Sequence, residues 1–204
     1  NATVAHGLGV APKMIIVKNR QGSNSWRVAH DSMGWNKSLF LDNANAAQTE
    51  AYYNNTAPTS QVFYIGTDGG TNGNNNNIIA YCFADKQGYS KLSSYKGNGN
   101  ANGTFVYTGF KPSFVMVKCS SNGSRSWSIF DNKRSPFNVS QNTFLADTSG
   151  VEITNGGNGS LDILSNGFKM RNTDAGTNGS GLTYIYMAFG QSIVGSNNIP
   201  ATAR

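Results

Sequence analysis

The chain has 204 residues and a formal net charge of +6, and only 13% of its residues are charged. Gly and Asn account for 51 residues, a composition that favours turns and excludes a helical bundle or coiled coil. Gly shows no period of three, which excludes collagen, and the 38% share of hydrophobic residues excludes disorder. No apolar run approaches roughly 18 residues, so we expect no membrane insertion. The chain begins at Asn1 without a Met, which predicts a fragment or a processed product.

Charge and cysteine content exclude two kinds of partner. The basic residues are spread thinly, and only Lys133 and Arg134 are adjacent, so the sequence predicts no nucleic-acid surface. Two His residues without a CxxC or HExxH motif exclude a zinc site. Cys82 and Cys119 lie in apolar runs, which favours two buried free thiols and leaves a disulfide as the alternative.

Short apolar runs, rich in β-branched and aromatic residues, predict strands along the whole chain. In chain order these runs are residues 14–17, 78–83, 114–117 and 184–189, while residues 26–28 and 127–129 alternate as half-buried strands do. Stretches rich in Gly, Asn and Ser separate them and predict turns. We expect roughly twelve to fourteen strands, with the most apolar runs covered on both faces.

The most informative feature is an internal duplication with a period of about 100 residues. The matched segments are 8–18 with 110–118, 25–26 with 126–127, 39–42 with 144–147, 67–73 with 173–179, and 79–83 with 185–189. Two β repeats are therefore predicted, 1–100 and 101–204. The predicted fold is all-β, an antiparallel jelly-roll-like β-sandwich built from the two repeats. The repeats form either one body, which we favour, or two tandem small sandwiches.

A residue present in both repeats most simply serves folding. Trp26 and Trp127 are therefore expected in the core, with a sugar-stacking platform as the alternative. The matched loops contain Asp68 with Asn72 and Asp174 with Asn178. They predict hydrogen-bonded turns, and calcium binding by their oxygen atoms is the alternative. No other cofactor is expected.

Several residues without a match in the other repeat are candidates for ligand binding. Aromatic side chains on loops of a rigid sandwich commonly stack on sugar rings, while neighbouring amides bind the hydroxyls. The candidate glycan site comprises Trp35, Asn36, Tyr52, Tyr53 and Asn54. Packing into a gap or a subunit contact is the alternative. The loop with Lys133 and Arg134 is a candidate contact for an anionic polysaccharide, or else a solvated turn.

The sequence argues against catalysis. Glycoside hydrolases need two carboxylates flanking the scissile bond, and the only Glu residues, Glu50 and Glu152, lie in different repeats. Neither His6 nor His30 is accompanied by a nucleophile motif such as GxSxG.

Five segments carry a family resemblance over nearly the whole chain. These are residues 5–14, 79–84, 109–118, 164–169 and 183–189. They resemble the C-terminal domain of tail-fibre-like and other virion structural proteins of marine bacteriophages, cyanophages among them. That domain is described as similar to concanavalin-A-like or LamG-like sandwiches. The resemblance implies a virion surface or extracellular location, other virion proteins as partners, and a homo-oligomer, trimeric in a fibre.

The expected function is non-catalytic attachment to a host cell-surface polysaccharide. Two alternatives remain open. The first is a purely structural virion decoration or filament subunit. The second is a secreted carbohydrate-binding module or adhesin, in which some of the eight Asn-x-Ser/Thr sites would be glycosylated.

Overall fold

The computed structural model describes residues 1–191. It is 39% strand and 4% helix, and all of its sheets are antiparallel, which confirms the predicted fold class. Two short helical turns interrupt the strands, a 3-10 turn at Asp31–Met33 and helix α1 at Gly69–Asn72. Within residues 1–191, no helix is long and apolar enough to cross a membrane.

Fifteen strands lie in the described range. Those before residue 100 are β1 (Ala2–Ala5), β2 (Met14–Asn19), β3 (Arg27–His30), β4 (Lys37–Phe40), β5 (Gln48–Thr49), β6 (Val62–Ile65), β7 (Ile78–Phe83) and β8 (Ser90–Lys96). Those after it are β9 (Phe105–Tyr107), β10 (Pro112–Cys119), β11 (Ser128–Asp131), β12 (Phe144–Leu145), β13 (Leu161–Leu164), β14 (Gly167–Met170) and β15 (Thr183–Gly190).

The strands form two large and two small sheets. Sheet I has the order β5-β4-β3-β2-β7, and sheet II has the order β12-β11-β10-β15-β8. The outer ribbon is β1-β6, and the outer sheet is β13-β14-β9. Strand β8 belongs to the first predicted repeat, but it pairs with β15 along its whole length. The division between the two sheets therefore falls between β7 and β8, before the repeat boundary predicted at residue 100.

Sheets I and II face each other across a central apolar cluster. Met14 and Ile16 of sheet I meet Met116, Ile185 and Met187 of sheet II in this cluster. Because neighbouring residues of a strand point to opposite faces, the intervening side chains are directed outward. They pack against a second layer on each side, so both large sheets are covered on both faces.

The two outer layers complete the core. Ile15 and Val17 of β2 pack under the outer ribbon. Val115, Val117 and Cys119 of β10 pack under the outer sheet. Strands covered on both faces read as continuous apolar runs, which explains the sequences of β2 and β10. The layers are thus stacked in the order outer ribbon, sheet I, sheet II and outer sheet, with an apolar cluster between each pair of layers.

Corresponding strands of the two halves occupy the same positions in their sheets. Strands β3, β2 and β7 are consecutive in sheet I, as β11, β10 and β15 are in sheet II. Arg27 lies opposite Phe40, and Ser128 lies opposite Leu145, in agreement with the matched segments of the sequence. The duplication itself remains a prediction from the sequence.

Candidate functional site

The structure corrects the prediction that Trp35 and Tyr53 stack on a sugar. Their side chains are only 8% and 1% exposed. The Tyr53 hydroxyl lies 2.9 Å from the carbonyl oxygen of Arg27 and 3.1 Å from that of Ile15, and burial raises the pKa of this tyrosine. The Trp35 ring packs edge-on against Tyr53, with 6.4 Å between ring centroids. Both rings fill the core beneath the outer ribbon, so neither offers a face to a ligand.

The other residues of that predicted site are only partly available. The Arg27 guanidinium lies over the Tyr52 ring at 4.3 Å from its centroid, and the ring is half-buried. Asn54 is half-buried in a turn with φ of 53°. Only Asn36 has an exposed side chain, and its backbone carbonyl accepts a hydrogen bond from the Glu50 N–H at 3.0 Å. The site loses its aromatic platform because these rings pack inward.

The basic loop after β11 is largely neutralised within itself. Arg134 Nη2 lies 2.6 Å from Asp131 Oδ2, and its guanidinium lies over the Phe144 ring at 4.2 Å. Burial opposes ionisation of Asp131, but hydrogen bonds from Arg134 and Lys133 hold the pKa of its carboxyl below the ordinary value. Lys133 is exposed. Of the predicted pair, Lys133 alone presents its charge to an anionic ligand.

The first matched loop is a hydrogen-bonded turn. Asp68 caps α1 by accepting the Gly70 N–H at 2.9 Å. The same carboxylate lies 3.2 Å from Arg27 Nη2, so its charge is already paired. Asn72 Nδ2 donates to the carbonyl of Gly66 at 2.8 Å. These contacts support the turn interpretation. The Arg27 guanidinium already lies against the Asp68 carboxylate, where a calcium ion would have to bind.

The second matched loop has the same turn with a different neighbour. Asp174 Oδ1 accepts the Gly176 N–H at 2.6 Å. Asn178 is fully buried, and its amide joins this loop to the 98–102 loop through Asn98 and to the backbone of Asn172. In the described part of the chain, no group of three or more His, Cys, Asp or Glu side chains could hold a metal ion.

A polar groove elsewhere on the surface has the features expected of a saccharide site. It has a volume of about 420 Å³ and lies where the chain crosses from β7 to β8, beside the end of β9. We call it the Tyr107 groove; its lining includes Asp85, Lys86, Gln87, Lys91, Tyr107 and Thr108. Pockets of this kind combine an aromatic surface with a few placed polar groups.

The side chains of the Tyr107 groove are arranged for polar recognition. Tyr107 is 66% exposed, and among residues 1–191 no other ring packs on it. The Asp85 carboxylate is held in place by Lys91 Nζ at 2.6 Å and by the Leu92 N–H at 2.8 Å. Lys86 is exposed at the rim. A ligand here would meet one open aromatic face, fixed acceptor oxygens and a cation.

The structure exposes Tyr107, a residue that the sequence interpretation did not single out. Val106 is buried against the core, while Phe105 and Tyr107 project outward on the other face of β9. A comparison of the two halves could have identified Tyr107. Ala5 of β1 occupies the position in the outer ribbon that Tyr107 of β9 occupies in the outer sheet. Since the first half has an alanine at the corresponding position, this large exposed ring is not part of the structure that the two halves share.

The family model described as a domain of unknown function (DUF7483) matches residues 1–192. The chain belongs to this family. No curated protein and no solved structure matches the chain. The family description assigns no activity.

In this DUF7483 domain, the Glu and His residues that could serve catalysis make separate contacts. Glu152 lies 3.9 Å from Arg134, and His6 Nε2 lies 3.1 Å from the carbonyl of Thr59. His30 is fully buried, and burial lowers its pKa to about 4 because desolvation disfavours the charged imidazolium. These contacts are those of structural residues, and the absence of catalysis stays a prediction.

Proposed function

We propose that this DUF7483 domain is a non-catalytic binding domain that holds a host-surface saccharide in the Tyr107 groove. We place it on a virion surface, in a tail fibre or related appendage. The resemblance of its sequence to phage virion domains supports that location. The observation that carries the binding proposal is the open Tyr107 ring in a polar groove.

The groove suits a sugar because of its mixed chemistry. A sugar ring has apolar C–H faces that pack on an aromatic face and hydroxyls that need fixed partners at the edge. Tyr107 supplies the first, and the Asp85 carboxylate supplies acceptor oxygens whose position is fixed by two hydrogen bonds. Lys91 is paired with Asp85, so the net positive charge of the groove comes from Lys86, and this charge favours a saccharide with acidic groups.

The binding proposal is tested by titrating the full chain with polysaccharide purified from the host surface. Tyr107→Ala should weaken binding about five- to thirtyfold, since a stacked ring contributes on the order of 1–2 kcal/mol. Phe105→Ala is the matched control, because Phe105 is 46% exposed on the same strand but does not line the groove. Equal losses in both variants, or none in Tyr107→Ala, would reject this site.

A structural subunit is the second candidate function. Phe137 and Val151 are 83% and 89% exposed, and large apolar side chains this open are typical of protein contacts. In that case they would contact other virion proteins or further copies of the chain. The double variant Phe137→Asp/Val151→Asp should then lower the mass of the oligomer measured by light scattering, while saccharide binding by the isolated chain should be undetectable.

A further inference from the structure

Strand β7 is the edge of sheet I among residues 1–191, because β2 is its only neighbour there. The carbonyl of Asn77, just before β7, accepts the Arg20 N–H beyond the end of β2 at 2.9 Å. In an antiparallel pair the backbone groups of alternate residues point to opposite edges. Ile78, Ala80 and Cys82 therefore direct their N–H and C=O groups away from β2. This row of polar groups can pair with an added strand.

A cleft of about 430 Å³ lies beside this edge, between β7 and the outer ribbon. Its apolar wall includes Phe63 of the ribbon and Ile78 and Ala80 of β7, while Thr71 and Asn72 line it at the α1 end. A strand paired with β7 would direct alternate side chains into this cleft. The apolar wall with polar groups at one end suits a side chain that is apolar along its length and polar at its tip.

The corresponding place in the second half is filled by a tyrosine. Tyr95 lies on β8 opposite Tyr184 of β15 and enters the core under the outer sheet. Its ring stacks on Tyr184 and meets Phe168 edge-on, with centroid distances of 5.0 Å and 6.1 Å. Its hydroxyl donates to the backbone carbonyl of Thr177 at 2.5 Å. Apolar side chains thus hold the ring, and one backbone acceptor holds the hydroxyl.

The two spaces are lined by residues in corresponding positions of the two halves. The matched pairs are Phe63 with Phe168, Thr71 with Thr177, Ile78 with Tyr184, and Ala80 with Tyr186. In both pairs on β7 and β15 the first half has the smaller side chain, which leaves room beside β7. The cleft is thus the counterpart of the space that Tyr95 fills beside β15.

Asn72 makes one of the contacts of its counterpart Asn178 and leaves another unmade. Each side chain donates from Nδ2 to the carbonyl that precedes its loop, that of Gly66 at 2.8 Å and that of Asn172 at 2.7 Å. Asn178 Oδ1 also accepts the N–H of Asn98, three residues after the tyrosine of β8, at 3.1 Å. In the described part of the chain no donor bonds Asn72 Oδ1. This oxygen can therefore accept a backbone N–H of an added segment.

The second half also shows which residue must follow the tyrosine. Gly97 lies two residues after it and passes so close to the backbone of Asn178 and Gly179 that a Cβ there would overlap the Gly179 carbonyl oxygen. Asn72 and Gly73 occupy the matching positions beside the cleft. A segment that binds in the same way therefore needs glycine two residues after its tyrosine.

We propose that the outer edge of β7 and its cleft bind an extended segment of a partner protein with the sequence tyrosine, any residue, glycine. The segment adds to β7 as an antiparallel strand with its tyrosine opposite Ile78. The tyrosine ring packs in the cleft against Phe63, and its hydroxyl donates to the Thr71 carbonyl. The cleft shares no lining residue with the Tyr107 groove, so this binding is independent of the saccharide.

A peptide with the sequence of β8 and the start of the following turn tests this on the full chain. The probe is Ser-Lys-Leu-Ser-Ser-Tyr-Lys-Gly-Asn, the sequence of residues 90–98, capped at both ends. At saturation it should slow amide hydrogen exchange of Ile78, Ala80 and Cys82 at least about tenfold and leave β10 amides unchanged. Alanine in place of the peptide's tyrosine or glycine should weaken binding at least about tenfold. Equal binding of the three peptides would overturn the proposal.

Two variants of the full chain locate the binding. Ala80→Trp places a large ring in the cleft from its own wall and should weaken peptide binding at least about tenfold. Tyr81→Ala is the matched control, because Tyr81 is 44% exposed on the same strand but does not line the cleft. It should bind the peptide as the wild type does. Equal losses in both variants, or no loss in Ala80→Trp, would overturn the proposal.

The small phenol p-cresol separates binding of the ring from binding of the strand. It should bind at least about tenfold more weakly than the peptide and leave exchange of the β7 amides unchanged. Binding as strong as that of the peptide would assign the cleft to a small phenolic ligand, against the proposal. Slow exchange of the β7 amides in the chain alone, unaffected by the peptide, would show that the chain covers its own edge and would also overturn it.

Discussion

The two halves of the molecule share their turns and buried contacts, and they differ at their surfaces and edges. Lys18 donates to the loop carbonyls of Gly22 and Asn24, and the buried Lys118 does the same for Ala44 and Arg125. By contrast, Tyr107 stands where the first half has Ala5, and among residues 1–191 β15 is paired on both sides whereas β7 is paired on one. The features common to both halves serve folding, so the differences are the places to look for ligands and partners.

The largest effect on stability is expected at Trp127, a residue of the second half that contacts the first half. Trp127 is 1% exposed in the central cluster, and its indole N–H donates to the Phe40 carbonyl at 2.8 Å. Trp127→Ala should lower the free energy of unfolding by about 4 kcal/mol. Its counterpart Trp26 is half-buried and stacks on the exposed Tyr81, so Trp26→Ala should cost about half as much.

Denaturant unfolding measures this pair, and the shape of the curve matters as much as the midpoint. Because both halves contribute to the central cluster, each variant should unfold in one transition. Two separated transitions in the Trp127 variant would contradict a shared core and favour two tandem sandwiches.

The next effect is a pH dependence present in one half only. His30 has a folded-state pKa of about 4, below the value near 6.5 expected when unfolded, while the second half has the partly exposed Asp131 in its place. Between pH 4 and pH 6.5 the unfolded chain binds more protons than the folded chain does. The contribution of neutral His30 to the free energy of unfolding is therefore full above pH 6.5 and is lost as pH falls to 4. The loss should approach 3 kcal/mol, at about 1.4 kcal/mol per pKa unit.

Unfolding free energies of the wild type and His30→Gln between pH 7 and pH 4 isolate this contribution. The variant should show a shallower decline, and the difference between the two curves should grow towards pH 4. Parallel curves would mean that folding does not lower the pKa of His30.

The matched aspartates provide a smaller contrast. Asp68 caps α1 and pairs with Arg27, whereas Asp174 caps the equivalent turn, and no ion pair involves it among residues 1–191. Asp68→Ala should therefore destabilise by about 2 kcal/mol and Asp174→Ala by about 1 kcal/mol. Thermal unfolding in calcium and in EDTA is the accompanying check. The metal interpretation of these loops would be restored if calcium raised the melting temperature of the wild type but not that of either variant.

The smallest stability effect is expected at the site itself. Tyr107 is 66% exposed on an outer strand, so Tyr107→Ala should change the free energy of unfolding by less than about 0.5 kcal/mol. Chemical denaturation of Tyr107→Ala and Phe105→Ala side by side measures it. A loss of more than about 2 kcal/mol would make Tyr107 a packing residue and remove it from the proposed site.

Much of the fold could be predicted because it depends on local patterns. The apolar runs at β2 and β10 indicated strands covered on both faces, and the Asp-Gly loops indicated hydrogen-bonded turns. The site could not be predicted in the same way, since the direction of a loop ring depends on long-range contacts. The Tyr53 ring points inward because its hydroxyl donates hydrogen bonds to two backbone carbonyls of sheet I. Tyr107 faces outward because its neighbour Val106 points into the core. Nor could local patterns show that β8 crosses to the other sheet.

Binding of the labelled full chain to intact host cells tests the proposed function most directly. Purified surface polysaccharide serves as the competitor, first with calcium and then with EDTA. We expect saturable binding that the polysaccharide displaces and that EDTA leaves unchanged, since the Tyr107 groove needs no metal ion. Saturable binding lost in EDTA would contradict the groove and point to the Asp68 and Asp174 loops. Binding that the polysaccharide does not displace, or no binding by the folded chain, would contradict saccharide attachment and favour the structural subunit.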